Sequence, residues 1–432
     1  MKFFMNFYKF NNNYKHKLNK TFLSILITFI LLFSNSIYIF ANNNTAYVWA
    51  NKSHKLETTD TAASNLNSSI SAVTDNPLNL ECGSACLIDQ NSGLVLYDYN
   101  MHEQLRPASV TKVMSLLLIM EALDSGKINL DDKVPCTEDA ANMGGSQIWL
   151  DVKETLTVDE MLKAICVVSA NDCVVAMADY LSGSQEAFVS KMNDKAKELG
   201  MNDTCFKNCH GIDEDGHLTS AYDIAIMSRE LLLNHPSITN YTTIWMDSLR
   251  DGKSQLVNTN KLVRNYKGCT GLKTGSTSIA LYNLSASATR DDLSLVGVIM
   301  KAPTTKLRFD NAKKLLDYGF SNYSIKSFEK KGDIIKNIKV NKGSKQSVDA
   351  ILEKNAEILI NNKNAKEINK EIILDDTINA PILENQKLGE LKLTTDKNEI
   401  FSVNIVAKER VDKLNFNNML NLVFNKWFTL CK

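Results

Sequence analysis

Ser109 and Lys112 stand three residues apart, just after Pro107, where an apolar helical pattern begins: Val110, Val113, Met114, Leu117, Leu118 and Met120 through Leu123. On a helix that spacing puts both side chains on one face, one turn apart. A serine hydroxyl is a poor nucleophile until a base removes its proton, and a buried lysine with a lowered pKa can be that base. The helix start adds N–H groups and a positive dipole end where negative charge develops. Taken alone, the pair also reads as a capping serine beside a solvated lysine, and Ser327 with Lys330 repeats the spacing without any such context.

Two further patterns follow in the chain. Ser169-Ala170-Asn171 lies between the apolar helical segments Met161–Val168 and Cys173–Ala178. A hydroxyl and an amide in such surroundings need buried partners or they cost stability. There the hydroxyl can relay a proton to a leaving amine and the amide can hold substrate backbone. Ser402-Val403-Asn404 is a second match, on a strand-like stretch. Lys273-Thr274-Gly275 is the only K-T-G in the chain and stands at the start of the strand-like region 278–289. Lysine offers charge, threonine a hydroxyl for a substrate carboxylate, and glycine room for a substrate along the backbone.

S-x-x-K, S-x-N and K-T-G in this order form the signature of penicillin-binding proteins and class A β-lactamases. The chain resembles the low-molecular-mass D-alanyl-D-alanine carboxypeptidases, particularly those of spore-forming Gram-positive bacteria. The resemblance runs from about Glu81 to about Val411 and includes Arg106 to Lys112, Gly144 to Trp149, His210-Gly211, Leu272 to Ser276 and Leu315 to Phe320. It implies that Ser109 attacks the carbonyl of a terminal D-Ala-D-Ala bond with Lys112 as base, while Ser169 and Lys273 deliver the proton to the departing D-alanine. Asn171 would bind the acyl side and Thr274 the terminal carboxylate, beside Gly275. The oxyanion would sit between the N–H groups of Ser109 and Ser276. The implied partners are the peptidoglycan pentapeptide and β-lactam antibiotics, which acylate Ser109; no metal or cofactor is implied.

Ala170 replaces the residue these families usually carry there, at a position expected to point away from the chemistry. Lys301-Ala302-Pro303 stands where some relatives place a carboxylate-binding arginine. Lys306 and Arg308 are candidates for that role, and each is expected to be a solvated helix charge instead. A β-lactamase is the nearest rival, but none of Glu186, Glu198, Glu214 and Glu230 has Asn three residues on, as the deacylating carboxylate pattern requires. A non-catalytic penicillin-recognising sensor is the rival from another class. A transpeptidase differs only in using an amine in place of water.

The elements that must position these residues are expected as an α+β fold: an antiparallel sheet flanked by helices, with a helical subdomain carrying Ser169 and Asn171, then a small all-β domain. Asn91-Ser92-Gly93 marks a hairpin. Helical stretches are expected at 157–182, 185–199 and 221–234, strands at 278–289 and 293–300, and a helix at 305–318 ended by Gly319. Residues 326–410 alternate polar and aliphatic positions, as strands do. The expected domains are a signal peptide at 1–41, a tether at 42–79, a catalytic domain at 80–325, an all-β domain at 326–411 and an amphipathic membrane-attachment helix at 412–432. Residues 1–41 carry five lysines and no acid ahead of an apolar run, which predicts export to the outer face of the cytoplasmic membrane. Phe416, Met419, Leu420, Val423, Phe424, Trp427 and Leu430 line one face of the last stretch and predict contact with the membrane surface. Lys plus Arg equals Asp plus Glu at 49 each, so the charge balance gives no sign of nucleic acid. Nine cysteines are expected to be mostly buried free thiols, with a metal role for the C-x-x-x-C pairs and His210 less favoured.

Overall fold

The computed structural model describes residues 76–363, 367–395, 398–415 and 419. The signal segment 1–41 and nearly all of the tether and of the terminal helix therefore lie outside the described residues. Ser84–Asp89 (β1) and Val95–Tyr99 (β2) form the antiparallel hairpin that Asn91-Ser92-Gly93 announced. All six residues of β1 are buried because both its faces are covered. Cys86 and Ile88 enter one apolar cluster, Ala85 and Leu87 another, as alternation along a strand requires.

The chain then makes a 3-10 turn, Ala108–Thr111, that leads directly into helix Lys112–Asp124 (α1). Nine of the thirteen residues of α1 are buried, so it is a core helix with little solvent face. The hairpin Lys133–Pro135 (β3) with Thr155–Thr157 (β4) precedes Val158–Val167 (α2), whose start is fixed by a reciprocal capping box between Thr157 and Glu160. The helix expected across 157–182 is interrupted. Val168 to Ala170 separate α2 from Asn171–Ser182 (α3), with Ser169 at a φ of 67°. Gln185–Glu198 (α4) and Ala221–Asn234 (α5) follow, each capped by the serine before it. Met246–Leu249 (β5) and Ser254–Val257 (β6) make a second small hairpin that the sequence analysis did not anticipate.

Cys269–Thr277 (β7), Leu281–Arg290 (β8) and Leu293–Ala302 (β9) complete an antiparallel sheet in the order β2-β1-β9-β8-β7. Lys273-Thr274-Gly275 therefore lies inside a strand, not before one. With Cys, Thr, Lys and Ser along it, β7 shows no apolar alternation, so its period is invisible in sequence. Helix Thr305–Asn322 (α6) packs on the sheet face opposite α1 and continues past the expected stop. Gly319 is there for close packing: a Cβ would meet Leu295 Cδ1 at 2.5 Å and Leu87 Cδ2 at 2.9 Å.

The remainder is strand: Tyr323–Glu329 (β10), Ile334–Asn341 (β11), Ser347–Leu352 (β12), Ala356–Asn361 (β13), Asn369–Leu374 (β14), Thr377–Asn379 (β15), Lys387–Thr395 (β16) and Asn398–Ala407 (β17). β10 pairs with β13, and the other six form one sheet in the order β14-β16-β17-β12-β11-β15 around a separate core that includes Ile338, Val348, Leu391 and Ile405. The fold is thus α+β with antiparallel sheets, a helical region and a C-terminal β part. No described helix is long and apolar enough to cross a membrane. The eight described cysteines are free thiols.

Candidate active site

Lys112 is the centre of the site. Its side chain is fully buried although it carries an amine, and three groups surround Nζ: Asn171 Oδ1 at 2.6 Å, the His210 carbonyl at 2.6 Å and Ser109 Oγ at 3.1 Å. Burial, and then the nearby charge of Lys273, hold its pKa well below the ordinary lysine range. An uncharged amine has two hydrogens and one lone pair. The two carbonyl oxygens can only accept, so in that uncharged state they would take the hydrogens and leave the lone pair facing the Ser109 hydroxyl.

Asn171 begins α3 and is pinned from both ends. Its Nδ2 donates to the Gly144 carbonyl at 2.6 Å, and its backbone N–H donates to the Ser146 carbonyl at 2.7 Å. The next residue clamps the same loop, since the Asp172 carboxylate accepts from the N–H groups of Ile148 at 3.0 Å and Leu150 at 3.1 Å. One hydrogen and one lone pair of the Asn171 amide remain for a substrate. Ser169 sits two residues earlier in the left-handed conformation, which serine adopts only when its surroundings impose it. Its Oγ is buried and makes no hydrogen bond among the described residues.

The third motif forms the opposite wall. β7 is an edge strand, so its outer side has no strand partner among the described residues. It meets the Ser109 turn through bare backbone: a Cβ on Gly275 would lie 2.9 Å from Pro107 O, Ser109 N and Val110 N. The glycine is thus required first by the Ser109 turn and only then by any substrate. Thr274 Oγ1 lies 2.7 Å from Thr259 Oγ1, and Thr259 N–H donates to Val167 O at 3.0 Å, which ties β7 to the end of α2. Lys273 is buried, donates to the Thr274 carbonyl at 3.0 Å, and has its pKa pushed down to about 7, chiefly by burial. Ser276 is exposed at the end of the motif.

The structure therefore joins Ser109 and Asn171 through Lys112 and sets Gly275 against the Ser109 turn. It corrects one expectation. Lys306 is solvated, with 89% of its side chain exposed, but Arg308 is buried at 6%. Arg308 points Nη1 toward the carbonyls of Gly275 at 3.3 Å and Asn283 at 3.4 Å, with its guanidinium over the rings of Phe309 and Tyr282. Its Nε is buried without a partner among the described residues. Burial lowers its pKa only to about 10, which leaves it charged at neutral pH. The signal was present in the sequence: Arg308, Ala312, Leu315, Leu316 and Gly319 recur at helical spacing on the buried stripe of α6.

The segment after α4 was also underestimated. His210-Gly211 carried the resemblance, but the segment 207–217 touches four positions of one helical stripe. The Cys209 carbonyl accepts from Ser115 Oγ at 2.7 Å and the His210 carbonyl from Lys112, while Gly211 abuts Ala108 and His217 reaches Thr111. Gly211 has a φ of 92°, and a Cβ there would fall 1.9 Å from the Ala108 oxygen.

The profile of the D-alanyl-D-alanine carboxypeptidase family matches residues 71–304, and that of the penicillin-binding protein 5 C-terminal domain matches residues 323–413. The chain is 45% identical to D-alanyl-D-alanine carboxypeptidase DacF of Bacillus subtilis (strain 168) over 351 residues, 80% of this chain and 90% of that protein. The structure is similar to that of penicillin-binding protein 5 from Haemophilus influenzae, with a TM-score of 0.65 and 31% identity over 78% of this chain and all of that one. It is also similar to penicillin-binding protein D2 from Listeria monocytogenes, solved in an ampicillin-bound form, with a TM-score of 0.52 and 29% identity over 56% of this chain and 99% of that one.

Proposed function

The chain belongs to the D-alanyl-D-alanine carboxypeptidase family and is a serine carboxypeptidase, and from that membership we propose that it trims the terminal D-alanine from peptidoglycan pentapeptide stems through an acyl-enzyme on Ser109. One observation supports this above the others: the buried Lys112 Nζ lies 2.6 Å from the carbonyl oxygens of Asn171 and His210 and 3.1 Å from Ser109 Oγ, so an uncharged amine would spend both hydrogens on the carbonyls and turn its lone pair to the Ser109 hydroxyl. Lys112 takes the Ser109 proton as Oγ bonds to the carbonyl carbon of the penultimate D-alanine. The oxyanion lies between the N–H groups of Ser109 and Ser276. Ser169, assisted by the charge of Lys273, passes a proton to the amine of the last D-alanine. The C–N bond breaks and free D-alanine leaves. Water then attacks the ester, regenerating the hydroxyl and releasing the shortened stem.

Thr274 and Arg308 hold the terminal carboxylate of the substrate, and Asn171 the acyl side. The free edge of β7 lets the peptide lie alongside as an added strand. Penicillin carries an equivalent carboxylate and amide, and it acylates Ser109 to give a slowly hydrolysed adduct. In the whole chain, 80–325 is the catalytic unit, 326–411 a β unit that sets its height, 1–41 the export signal and 412–432 the attachment to the membrane surface.

The test is release of D-alanine from a peptide ending in D-Ala-D-Ala, measured beside hydrolysis of nitrocefin. The proposal expects steady D-alanine release and no sustained nitrocefin turnover. Rapid nitrocefin turnover without D-alanine release would instead make the chain a β-lactamase, and neither activity would make it a sensor.

A further inference from the structure

The peptide unit between Ala108 and Ser109 has two ends. One is the Ser109 N–H, which the proposed mechanism assigns to the oxyanion. The other is the Ala108 carbonyl, which points the opposite way because the peptide is planar and trans. Ala108 has a φ of 50°, a conformation that costs alanine roughly 1–3 kcal/mol and holds only if its surroundings fix it.

A chain of buried hydrogen bonds does so. Thr111 Oγ1 donates to the Ala108 carbonyl at 2.9 Å and lies 2.8 Å from His217 Nε2. The Lys207 N–H donates to His217 Nδ1 at 2.9 Å, so Nδ1 is the unprotonated nitrogen and Nε2 carries the hydrogen. Nε2–H therefore donates to Thr111 Oγ1 and leaves the hydroxyl proton one destination, the Ala108 oxygen. Thr111 and His217 are both buried, at 0% and 2% exposure, so water offers no alternative partner. Gly211 closes the other side of the same carbonyl.

We propose that His217 and Thr111 are positioning residues for the oxyanion site: the Lys207–His217–Thr111 chain sets the direction of the Ser109 N–H by holding the far end of its peptide. This inference rests on the acyl-enzyme reading above and adds two residues to it. Neither side chain touches substrate. Their effect is felt where charge develops on the substrate oxygen, so kcat falls when they are removed while substrate binding stays.

The experiment measures kcat and KM for D-alanine release in four variants of the full chain, each normalised to the fraction of molecules that benzylpenicillin finally labels. T111V removes the hydroxyl while keeping shape. H217N keeps an acceptor for Lys207 but cannot reach Thr111. T111S restores the hydroxyl. S115A removes a tether from the same loop to the same helix without touching the Ala108–Ser109 peptide. Losing an oxyanion donor outright costs about 10²–10³-fold in kcat, so a misdirected one is expected to cost roughly tenfold to a hundredfold. That loss is expected in T111V and H217N with KM unchanged, with recovery in T111S and no loss in S115A beyond its folded fraction. Wild-type kcat in T111V or H217N, or an equal loss in S115A, would overturn the proposal. A wild-type chain that penicillin never labels would overturn the acyl-enzyme reading instead.

Discussion

At the residue scale the account turns on which proton sits where. Lys112 must be an uncharged amine to accept the Ser109 proton, and its burial favours that state. Arginine in its place keeps charge and length but stays protonated throughout the accessible pH range. Lys112→Arg is therefore expected to slow acylation by benzylpenicillin by about 10²–10⁴-fold, the range a general base contributes. Lys273 works in the opposite sense, because in the proposed mechanism it must be charged to support the proton that Ser169 passes to the departing amine. Its pKa near 7 means that this charge is lost as pH rises through neutrality. The alkaline limb of kcat/KM in the free enzyme should accordingly begin near pH 7, and Lys273→Arg should move it upward.

His217 gives a third residue-scale expectation, this time for stability. Burial lowers its pKa to about 4 from an ordinary 6.5; Glu214 and Asp213 oppose the shift, and Arg106 and Lys207 reinforce it. Below pH 6.5 the unfolded chain binds a proton at this position that the folded chain refuses until about pH 4. Folding stability from this group is thus present above pH 6.5 and lost as pH falls toward 4. Denaturant midpoints of wild type and H217N should converge, or cross against wild type, over that window. A constant difference would show that His217 does not titrate there.

At this scale three short motifs stood out in the sequence, and the structure links Ser109 and Asn171 through Lys112. The burial of Arg308 was misjudged because a lone arginine reads as solvated by default, though its helical neighbours placed it on the apolar stripe. Thr111 and His217 were not legible at all, since their link is between residues 106 apart in sequence.

At the scale of elements, glycine positions separate architecture from chemistry. Gly275 and Gly319 both sit under close contacts, but one contact is the backbone of the Ser109 turn and the other is two leucine side chains in the sheet–helix core. Gly275→Ala should push the Ser109 turn out of place and lower kcat per folded molecule by about 10²-fold, the cost of a misplacement near 1 Å. Gly319→Ala should destabilise by about 1–3 kcal/mol through overpacking while leaving kcat per folded molecule alone. Urea melts and kcat per folded molecule measured on both variants check this; a wild-type kcat in Gly275→Ala or a lowered one in Gly319→Ala would contradict it.

Strands and helices with clear periods, such as β1, β9 and α5, could be read from sequence. β7 could not, because a strand facing the cleft carries polar residues on the side where a core strand would show apolar ones. The break at Ser169 was hidden too. No Gly or Pro announces it, and the residues that follow the left-handed serine are fixed by distant partners, Asn171 by Lys112 and Gly144 and Asp172 by Ile148 and Leu150.

For the whole molecule, the proposed arrangement holds the cleft at a membrane surface, and no described helix is long and apolar enough to cross one. The chain from Asn42 to its end should co-sediment with vesicles containing anionic lipid. A chain stopped after Val411 should remain in the supernatant with the same kcat on a soluble peptide. Co-sedimentation of both would move the attachment elsewhere in the molecule.

The central claim is that Ser109 is the nucleophile of an acyl-enzyme, and intact mass after incubation with benzylpenicillin tests it most directly. Wild type is predicted to gain the mass of one penicillin and keep it, while Ser109→Ala gains nothing. An adduct of equal yield on both chains would place the nucleophile elsewhere and contradict the account.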